Sequence, residues 1–128
     1  MRRHKGSCHC GQIRFEVDAS EALELDECNC SICVKAGYLH VVVPKERFRL
    51  TAGKECLTTY KFNTGVARHP FCSVCGIKSF YFPRAYPQGV SINACCIDQT
   101  MVKSMSVARR FDGANWEECL SHYEPPTM

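Results

Sequence analysis

The chain has 128 residues, of which 45% are hydrophobic and 23% are charged, a mixture typical of a folded domain with a modest core. No segment approaches the roughly 20 consecutive apolar residues that a membrane span needs, and no apolar run follows the basic start as in a secretory signal peptide. These observations exclude a disordered or membrane-spanning chain. They predict a cytoplasmic protein with one domain over residues 1–128, a core at about 5–122, a short basic, solvated N-terminus and a frayed C-terminal tail.

The cysteine content changes how the formal net charge of +3 is interpreted. There are 11 cysteines, and in a reducing cytoplasm an odd number of them favours metal binding or catalysis over disulfides. Seven of them lie in the three motifs described below. As thiolates around two Zn²⁺ ions, they would add a charge of about −3 and bring the protein close to neutrality. We therefore expect no nucleic-acid partner.

Short segments with a hydrophobic period of two predict a mainly antiparallel β fold. The first of them places Ile13, Phe15 and Val17 on one face, which is the pattern of a half-buried strand. Strands are predicted at residues 13–17, 23–27, 38–43, 48–50, 57–62, 78–82 and 90–94. Helix is predicted only after Ser31, for about one and a half turns, and near residues 115–122.

Two motifs place pairs of cysteines at spacings that suit one metal ion. In Cys72-Ser73-Val74-Cys75-Gly76, two thiolates meet on a tight turn. In Cys8-His9-Cys10-Gly11, the two thiolates of an extended segment point the same way. Together the two pairs would form a closed tetrahedral site that contributes on the order of 10 kcal/mol to folding. We predict a structural zinc site whose ligands are Cys8, Cys10, Cys72 and Cys75.

The third motif, Cys28-Asn29-Cys30-Ser31-Ile32-Cys33, brings three thiolates into one short loop. A strand end followed by the first turn of a helix can direct all three at one ion. Three protein ligands leave the fourth position for water or substrate, which distinguishes catalytic zinc from structural zinc. We predict a second zinc held by Cys28, Cys30 and Cys33, and we regard it as the catalytic centre.

Spacing alone leaves other arrangements of these motifs open. Cys30 and Cys33 could join Cys72 and Cys75 in a four-cysteine site. A thiolate-rich site could also hold an iron–sulfur cluster. The CxxC spacing within the third motif is shared by thioredoxin-like redox proteins, although no βαβ pattern surrounds it here.

The other four cysteines lack ligand spacing to any neighbour in the sequence. Cys56 and Cys119 are predicted to be small buried hydrophobic residues. Cys95 and Cys96 follow a predicted strand and point to opposite faces, so one of them could border the open site. No disulfide is expected among them.

The histidines are not predicted as metal ligands. His9 lies between two ligand cysteines and should point away from the metal that they bind. His40 falls inside a predicted strand and is expected to pack there. His69 precedes Cys72 closely enough that it could line the site.

The ordered set of CxC, CxCxxC and CxxCG motifs resembles the glutathione-dependent formaldehyde-activating enzyme family, and in detail its centromere protein V-like branch. The likeness extends over nearly the whole chain. Further segments that carry it are residues 13–17, 58–64, 79–81, 83–84, 96–98 and 111–117. The resemblance implies an all-β, zinc-stapled tent fold with the same two zinc sites that the spacing predicts.

The resemblance also implies an activity and its partners. A carbon–sulfur lyase-type enzyme of this family condenses glutathione, or a similar thiol, with formaldehyde or another small aldehyde to an S-hydroxymethyl adduct. Glutathione is then the co-substrate, and its carboxylates need cationic partners, for which Arg84, Arg68 and Lys35 are candidates. The alternative is a module that carries glutathione or docks on a partner protein without catalysis.

Overall fold

The computed structural model describes residues 1–62, 64–112 and 114. Within these residues it contains one helix, α1, at Ser31–Ala36. The strands are β1 Arg2–Ser7, β2 Arg14–Ala19, β3 Ala22–Cys28, β4 Leu39–Pro44, β5 Phe48–Ala52, β6 Leu57–Tyr60, β7 His69–Cys72, β8 Phe80–Tyr81, β9 Gly89–Asn93 and β10 Ser104–Phe111. Short 3₁₀ turns lie at Lys45–Arg47, Lys54–Cys56, Ala94–Cys96 and Gln99–Met101. The helix predicted near residues 115–122, Cys119 and the predicted C-terminal tail lie outside the described residues.

The strands form three sheets, and this confirms the prediction of a mainly β, largely antiparallel fold with few short helices. The sheets have the orders β1-β2-β5, β10-β3-β4-β9-β8 and β6-β7. Their pairings are antiparallel except that of β10, which runs parallel to β3 at the edge of the five-stranded sheet. Sequence patterning did not indicate β10, because side chains on both of its faces are exposed or only half-buried. Main-chain pairing, with an Arg109–Asp26 ion pair of 2.8 Å, attaches it instead.

The basic start of the chain forms an edge strand, which was not predicted, and its Arg2, Arg3 and Lys5 side chains are exposed to solvent. β1 pairs with β2 along its whole length. Its His4 ring is buried, with Nε2 3.0 Å from the carbonyl oxygen of Ser20. Arg3 stays at the surface and pairs with Asp18 at 3.2 Å. An edge strand tolerates charged side chains on its solvent face. The basic composition of this segment therefore gave no indication of a strand.

The core lies between the three-stranded and five-stranded sheets. Ile13 and Val17, predicted to face inward, are fully buried. Phe15 of β2 packs against Phe48 of β5 with ring centroids 5.8 Å apart, and Phe48 packs against Phe80 of β8 at 4.8 Å. Burial of each such side chain contributes roughly 1.5–3 kcal/mol. This aromatic contact joins the three-stranded sheet, whose β1 precedes the CxC motif, to the five-stranded sheet, in which Cys28 ends β3.

Helix α1 is confined to the turn that connects β3 to β4. It ends at Gly37, whose φ of 63° closes the C-terminal turn and directs its N–H at the carbonyl oxygens of Cys33 and Val34. In the described part of the chain, no helix combines the length and apolar character needed to cross a membrane.

Gly53 and Gly37 provide a matched test of close backbone approach. Both have positive φ, 89° and 63°, but only at Gly53 would a Cβ collide with the main chain of Gln12. Gly37→Ala should cost about 1–2 kcal/mol of unfolding free energy for the left-handed conformation alone. Gly53→Ala should cost at least about 3 kcal/mol, since the backbone must also move. Urea unfolding of the zinc-loaded variants measures this difference. Equal losses would contradict the packing described here.

Candidate functional site

The first cysteine group joins the loop after β1 to the end of β7. Cys8 and Cys10 lie in that loop, Cys72 ends β7, and Cys75 follows in the next turn. The four Sγ atoms all lie within 4.8 Å of one another, and the Cys8–Cys10 and Cys10–Cys72 sulfur distances are both 3.6 Å. Four thiolates placed tetrahedrally at about 2.3 Å from zinc are about 3.8 Å apart. The group could therefore hold a zinc ion.

Main-chain N–H groups prepare this first group for deprotonation. The N–H of Ile13 donates to Cys8 Sγ at 3.3 Å, and that of Val74 donates to Cys72 Sγ at 3.4 Å. Hydrogen bonds from the N–H groups of Cys75 and Val74 lower the pKa of the Cys72 thiol. Those from Cys10 and Ile77 lower the pKa of Cys75 to about 6. Despite the main-chain hydrogen bond from Gln12, burial and the contact with Cys72 raise the pKa of Cys10 to about 12. Since thiolates are the metal-binding form of cysteine, the turns favour that form at Cys72 and Cys75.

The second group lies at the junction of β3 and α1. Cys28 is the last residue of β3, Cys30 occupies the N-cap position and Cys33 lies within α1. Their Sγ atoms are within 4.8 Å of one another, and no histidine or carboxylate among residues 1–62, 64–112 and 114 belongs to this group. Asn29 holds the loop in place by donating to Asp112 Oδ1 at 3.0 Å. The strand end and first helical turn thus converge as the spacing suggested.

The three thiols of the second group share protons unequally. Hydrogen bonds from the Cys28 and Cys33 thiols lower the pKa of Cys30 to about 2. The contacts with Cys28 and Cys30 raise the pKa of Cys33, and the contact with Cys30 raises that of Cys28. The arrangement therefore favours the thiolate form at Cys30, which is half-buried at the loop. A bound metal cation would replace the remaining thiol protons.

Two of the alternatives, the regrouped four-cysteine site and the thioredoxin-like setting, do not occur in the structure. Cys72 and Cys75 join the CxC pair of the first group, not Cys30 and Cys33. β3 and β4, which flank α1, are antiparallel neighbours. The CxxC of the second group is therefore not set in the parallel βαβ unit of a thioredoxin-like motif.

A cavity of about 600 Å³ opens over the three-cysteine group. Besides the cysteines, its walls include Phe62, His40 of β4, His69 of β7, Tyr81 of β8 and the guanidinium-bearing Arg84. A cavity of this size, mostly apolar with a few convergent polar groups, is typical of a small-molecule site. The three sulfurs therefore face a chamber that can admit a substrate.

A buried polar network supports one wall of this cavity. Lys78 Nζ lies 2.7 Å from His69 Nδ1 and 4.1 Å from the centroid of the Tyr81 ring. His40 Nδ1 lies 2.9 Å from Ser91 Oγ and 3.2 Å from the Tyr81 hydroxyl. Burial, with a smaller effect of the Lys78 charge, lowers the pKa of both histidines to about 4. Burial also lowers the pKa of Lys78 to about 8. Near neutral pH the histidines are neutral and Lys78 is mostly charged.

Sequence analysis assigned no role to Lys78. The available signal was its position: residues 78, 80 and 82 share one face of a predicted strand, and Phe80 is buried on that face. A lysine at an inward position needs a partner or a charged neighbour. His69 is that partner, and it comes from β7, which was not predicted as a strand.

Of the three cations proposed for glutathione, the structure places one at the cavity. Arg84 lies in its wall. Arg68 lies instead over the Phe82 ring, with its guanidinium carbon 4.3 Å from the centroid, and is not part of the lining. Lys35 is exposed in the last turn of α1 and is not part of the lining either.

The remaining cysteines lie away from this cavity. Cys95 and Cys96 line a separate cavity of about 800 Å³ beside Cys8. Neither lines the cavity over the three-cysteine group, so the possibility that one of them borders the open site is not realised. They follow β9 into a 3₁₀ turn, which directs the chain toward the other group. Cys56 packs against the core but is only half-buried, not buried as predicted, and His9 is exposed.

The structure thus combines a largely antiparallel β fold with two cysteine groups. One group has four cysteines, and the other has three that line a cavity. These features define a class of β proteins with two candidate zinc centres. The profile of one family, described as "Glutathione-dependent formaldehyde-activating enzyme", matches residues 3–111. The chain belongs to this family.

Individual relatives agree with the family match. The chain is 30% identical over 105 residues to a Halomonas elongata protein named "Putative glutathione-dependent formaldehyde-activating enzyme", covering 76% of this chain and 67% of that protein. It is also similar to the crystal structure of a Rhodobacter sphaeroides protein, with a TM-score of 0.69 and 29% identity. That match covers 79% of this chain and 97% of the other. Membership of the centromere protein V-like branch stays a prediction.

Metal content should separate the two groups. We expect two zinc ions per chain, one for each group. Cys30→Ser should reduce this to about one and leave the circular dichroism spectrum unchanged, because Cys30 lies in a surface loop. Cys72→Ser should lower the unfolding free energy by several kcal/mol, because Cys72 is fully buried in the core. Zinc content measured by mass spectrometry tests the first expectation, and thermal unfolding tests the second. Two zinc ions in Cys30→Ser would contradict the assignment.

Proposed function

We propose that this chain is a zinc-dependent carbon–sulfur lyase-type enzyme that condenses glutathione, or a similar thiol, with formaldehyde or another small aldehyde. The product is the S-hydroxymethyl adduct. The observation that carries the proposal is the three-sulfur group facing a cavity of about 600 Å³ in a chain of this family. The name of the Halomonas elongata relative supports the same activity.

The donor chemistry of the two groups fits zinc. Four thiolates suit a closed structural ion, to be held by Cys8, Cys10, Cys72 and Cys75. Three thiolates beside a cavity suit a catalytic ion, to be held by Cys28, Cys30 and Cys33. Bound there, zinc would supply an open coordination position that takes a thiol and lowers its pKa from about 8.5.

The cavity walls would bind and orient the two substrates. Phe62 and Tyr81 supply apolar surface that excludes water, and Arg84 is positioned to pair with a glutathione carboxylate. Holding thiol and aldehyde in one chamber converts a bimolecular encounter into a reaction of bound groups. We place this reaction in the cytoplasm, where cysteine ligands stay reduced, and in one domain formed by residues 1–128.

The reaction itself is an addition without oxidation or reduction. The sulfur lone pair forms the carbon–sulfur bond while the π pair of the carbonyl moves onto oxygen. The proton that the thiol loses on activation returns to that oxygen through solvent. In the reverse direction the same bond breaks, which accounts for the lyase class.

Exchange between formaldehyde and its glutathione adduct, followed by nuclear magnetic resonance, tests the proposal. Catalytic amounts of the zinc-loaded protein should increase the exchange rate. Cys30→Ser should lose about 100-fold or more of this increase because one metal ligand is removed. Cys56→Ser is the matched control, since Cys56 belongs to neither group. An exchange rate unchanged by the protein would refute the activity. If calorimetry then shows tight glutathione binding, the chain is a thiol carrier.

The role of Arg84 can be tested with two thiols. Arg84→Ala should raise KM for glutathione about 10-fold with little change in kcat, because a charged hydrogen bond is lost in both ground and transition states. With 2-mercaptoethanol, which has no carboxylate, the substitution should have little effect. Lys35→Ala is the control, because Lys35 does not line the cavity. Equal losses with both thiols would argue against carboxylate pairing.

A further inference from the structure

One histidine in the cavity wall has a fixed ring orientation. His69 is only 4% exposed. Its ring stacks on Phe62 at a centroid distance of 5.4 Å and on Tyr81 at 5.0 Å, with interplanar angles of 29° and 15°. Because aromatic rings contact it from two residues, the imidazole has little freedom to rotate. Its two nitrogens therefore have defined neighbours.

Lys78 determines which nitrogen of His69 carries the proton. Lys78 Nζ lies 2.7 Å from His69 Nδ1. An ammonium group has three donors and no acceptor, so Nδ1 must accept this hydrogen bond. A neutral imidazole has one N–H, which is then on Nε2. The rings of Tyr38 and Tyr81, with centroids 4.9 and 4.1 Å from Nζ, favour the charged lysine through cation–π contacts.

The Nε2–H group of His69 has nothing to donate to within the described residues. The atom is buried, and no hydrogen-bond partner for it occurs in the described part of the chain. An unpaired buried donor costs about 1–3 kcal/mol. Since His69 belongs to the wall of the cavity that the three sulfurs face, an acceptor on a bound substrate is the natural partner.

His40 differs from His69 in this respect. Its Nε2 is also buried without a partner among the described residues. Its Nδ1, however, faces the hydroxyl groups of Ser91 and Tyr81, and a hydroxyl can donate or accept. The contacts of His40 therefore fix neither tautomer. Only His69, a residue of the cavity wall, has a contact that fixes its tautomer, with Nε2 as the donor.

We propose that His69 Nε2–H donates a hydrogen bond to the aldehyde oxygen as it becomes an alkoxide during thiol addition, and that Lys78 is the positioning residue that holds this tautomer. The inference rests on the proposed function. As the carbon–sulfur bond forms and the π pair moves onto oxygen, negative charge develops opposite the preorganised donor. The oxygen then takes from solvent the proton that the thiol lost. His69 keeps its own proton throughout.

Two substitutions of His69 separate its donor from its ring. His69→Phe keeps a stacking ring and removes both nitrogens, and should lower kcat/KM about 100-fold, as loss of one oxyanion donor does elsewhere. His69→Gln places an amide N–H close to the position of Nε2 and should recover part of that loss. Zinc content and glutathione affinity should match the parent in both. His4→Phe, at a buried histidine outside the cavity lining, is the control with unchanged kcat/KM.

The tautomer can be measured directly in the unsubstituted, zinc-loaded protein. Long-range ¹H–¹⁵N correlation spectra should show His69 with Nε2 protonated and Nδ1 bare. In Lys78→Met the single tautomer should be lost and kcat/KM should fall. This measurement does not depend on the folding of any His69 variant.

The outcomes distinguish this inference from the function on which it rests. A parent protein that does not accelerate formaldehyde–glutathione exchange overturns both. An active parent whose His69→Phe variant is equally active overturns only the role of His69. A protonated Nδ1 in the parent protein does the same.

Discussion

Cys10 and Cys72 are 62 residues apart in the sequence, yet their sulfurs lie 3.6 Å apart. Closing so long a loop costs conformational entropy, which a metal ion shared by four thiolates can offset. Cys8 and Cys72 are also members of the hydrophobic core. Metal binding by the four cysteines and packing of the core would therefore stabilise the same contacts. The position of β1 relative to β7 depends on both.

This closure also reaches the second group through β7. The strand begins at His69 and ends at Cys72. The contacts that hold Cys72 in the four-cysteine group therefore also position His69, three residues earlier in the same strand. His69 lies in the wall of the cavity over the three-cysteine group. Further walls come from β3, β4, β8, β10 and the segments around Phe62 and Arg84. The four-cysteine group thus helps to position one wall of the cavity over the three-cysteine group.

Charge balance around the open group follows from the same arrangement. Three thiolates with one Zn²⁺ carry a charge of about −1. Lys78 is a half-buried cation nearby, and the negative charge of the cysteines favours its charged form against the effect of burial. Its ammonium also contacts His69 and the tyrosine rings. One lysine thus offsets the charge of the cysteine group and orients a neutral histidine, without itself lining the cavity.

The sequence by itself determined the two cysteine groups and the mainly β fold. Ligand spacing in a short motif and a hydrophobic period of two are local properties, set by the geometry of turns and strands. Only the tertiary structure decided which strands pair. It placed β10 parallel to β3 and made the basic start an edge strand. Of the three candidate cations, it placed Arg84 in the cavity wall and Arg68 and Lys35 outside it. The contacts of Lys78 with His69 and Tyr81 depend on the packing of β7 beside β8, and the hydrophobic pattern predicted no strand at β7.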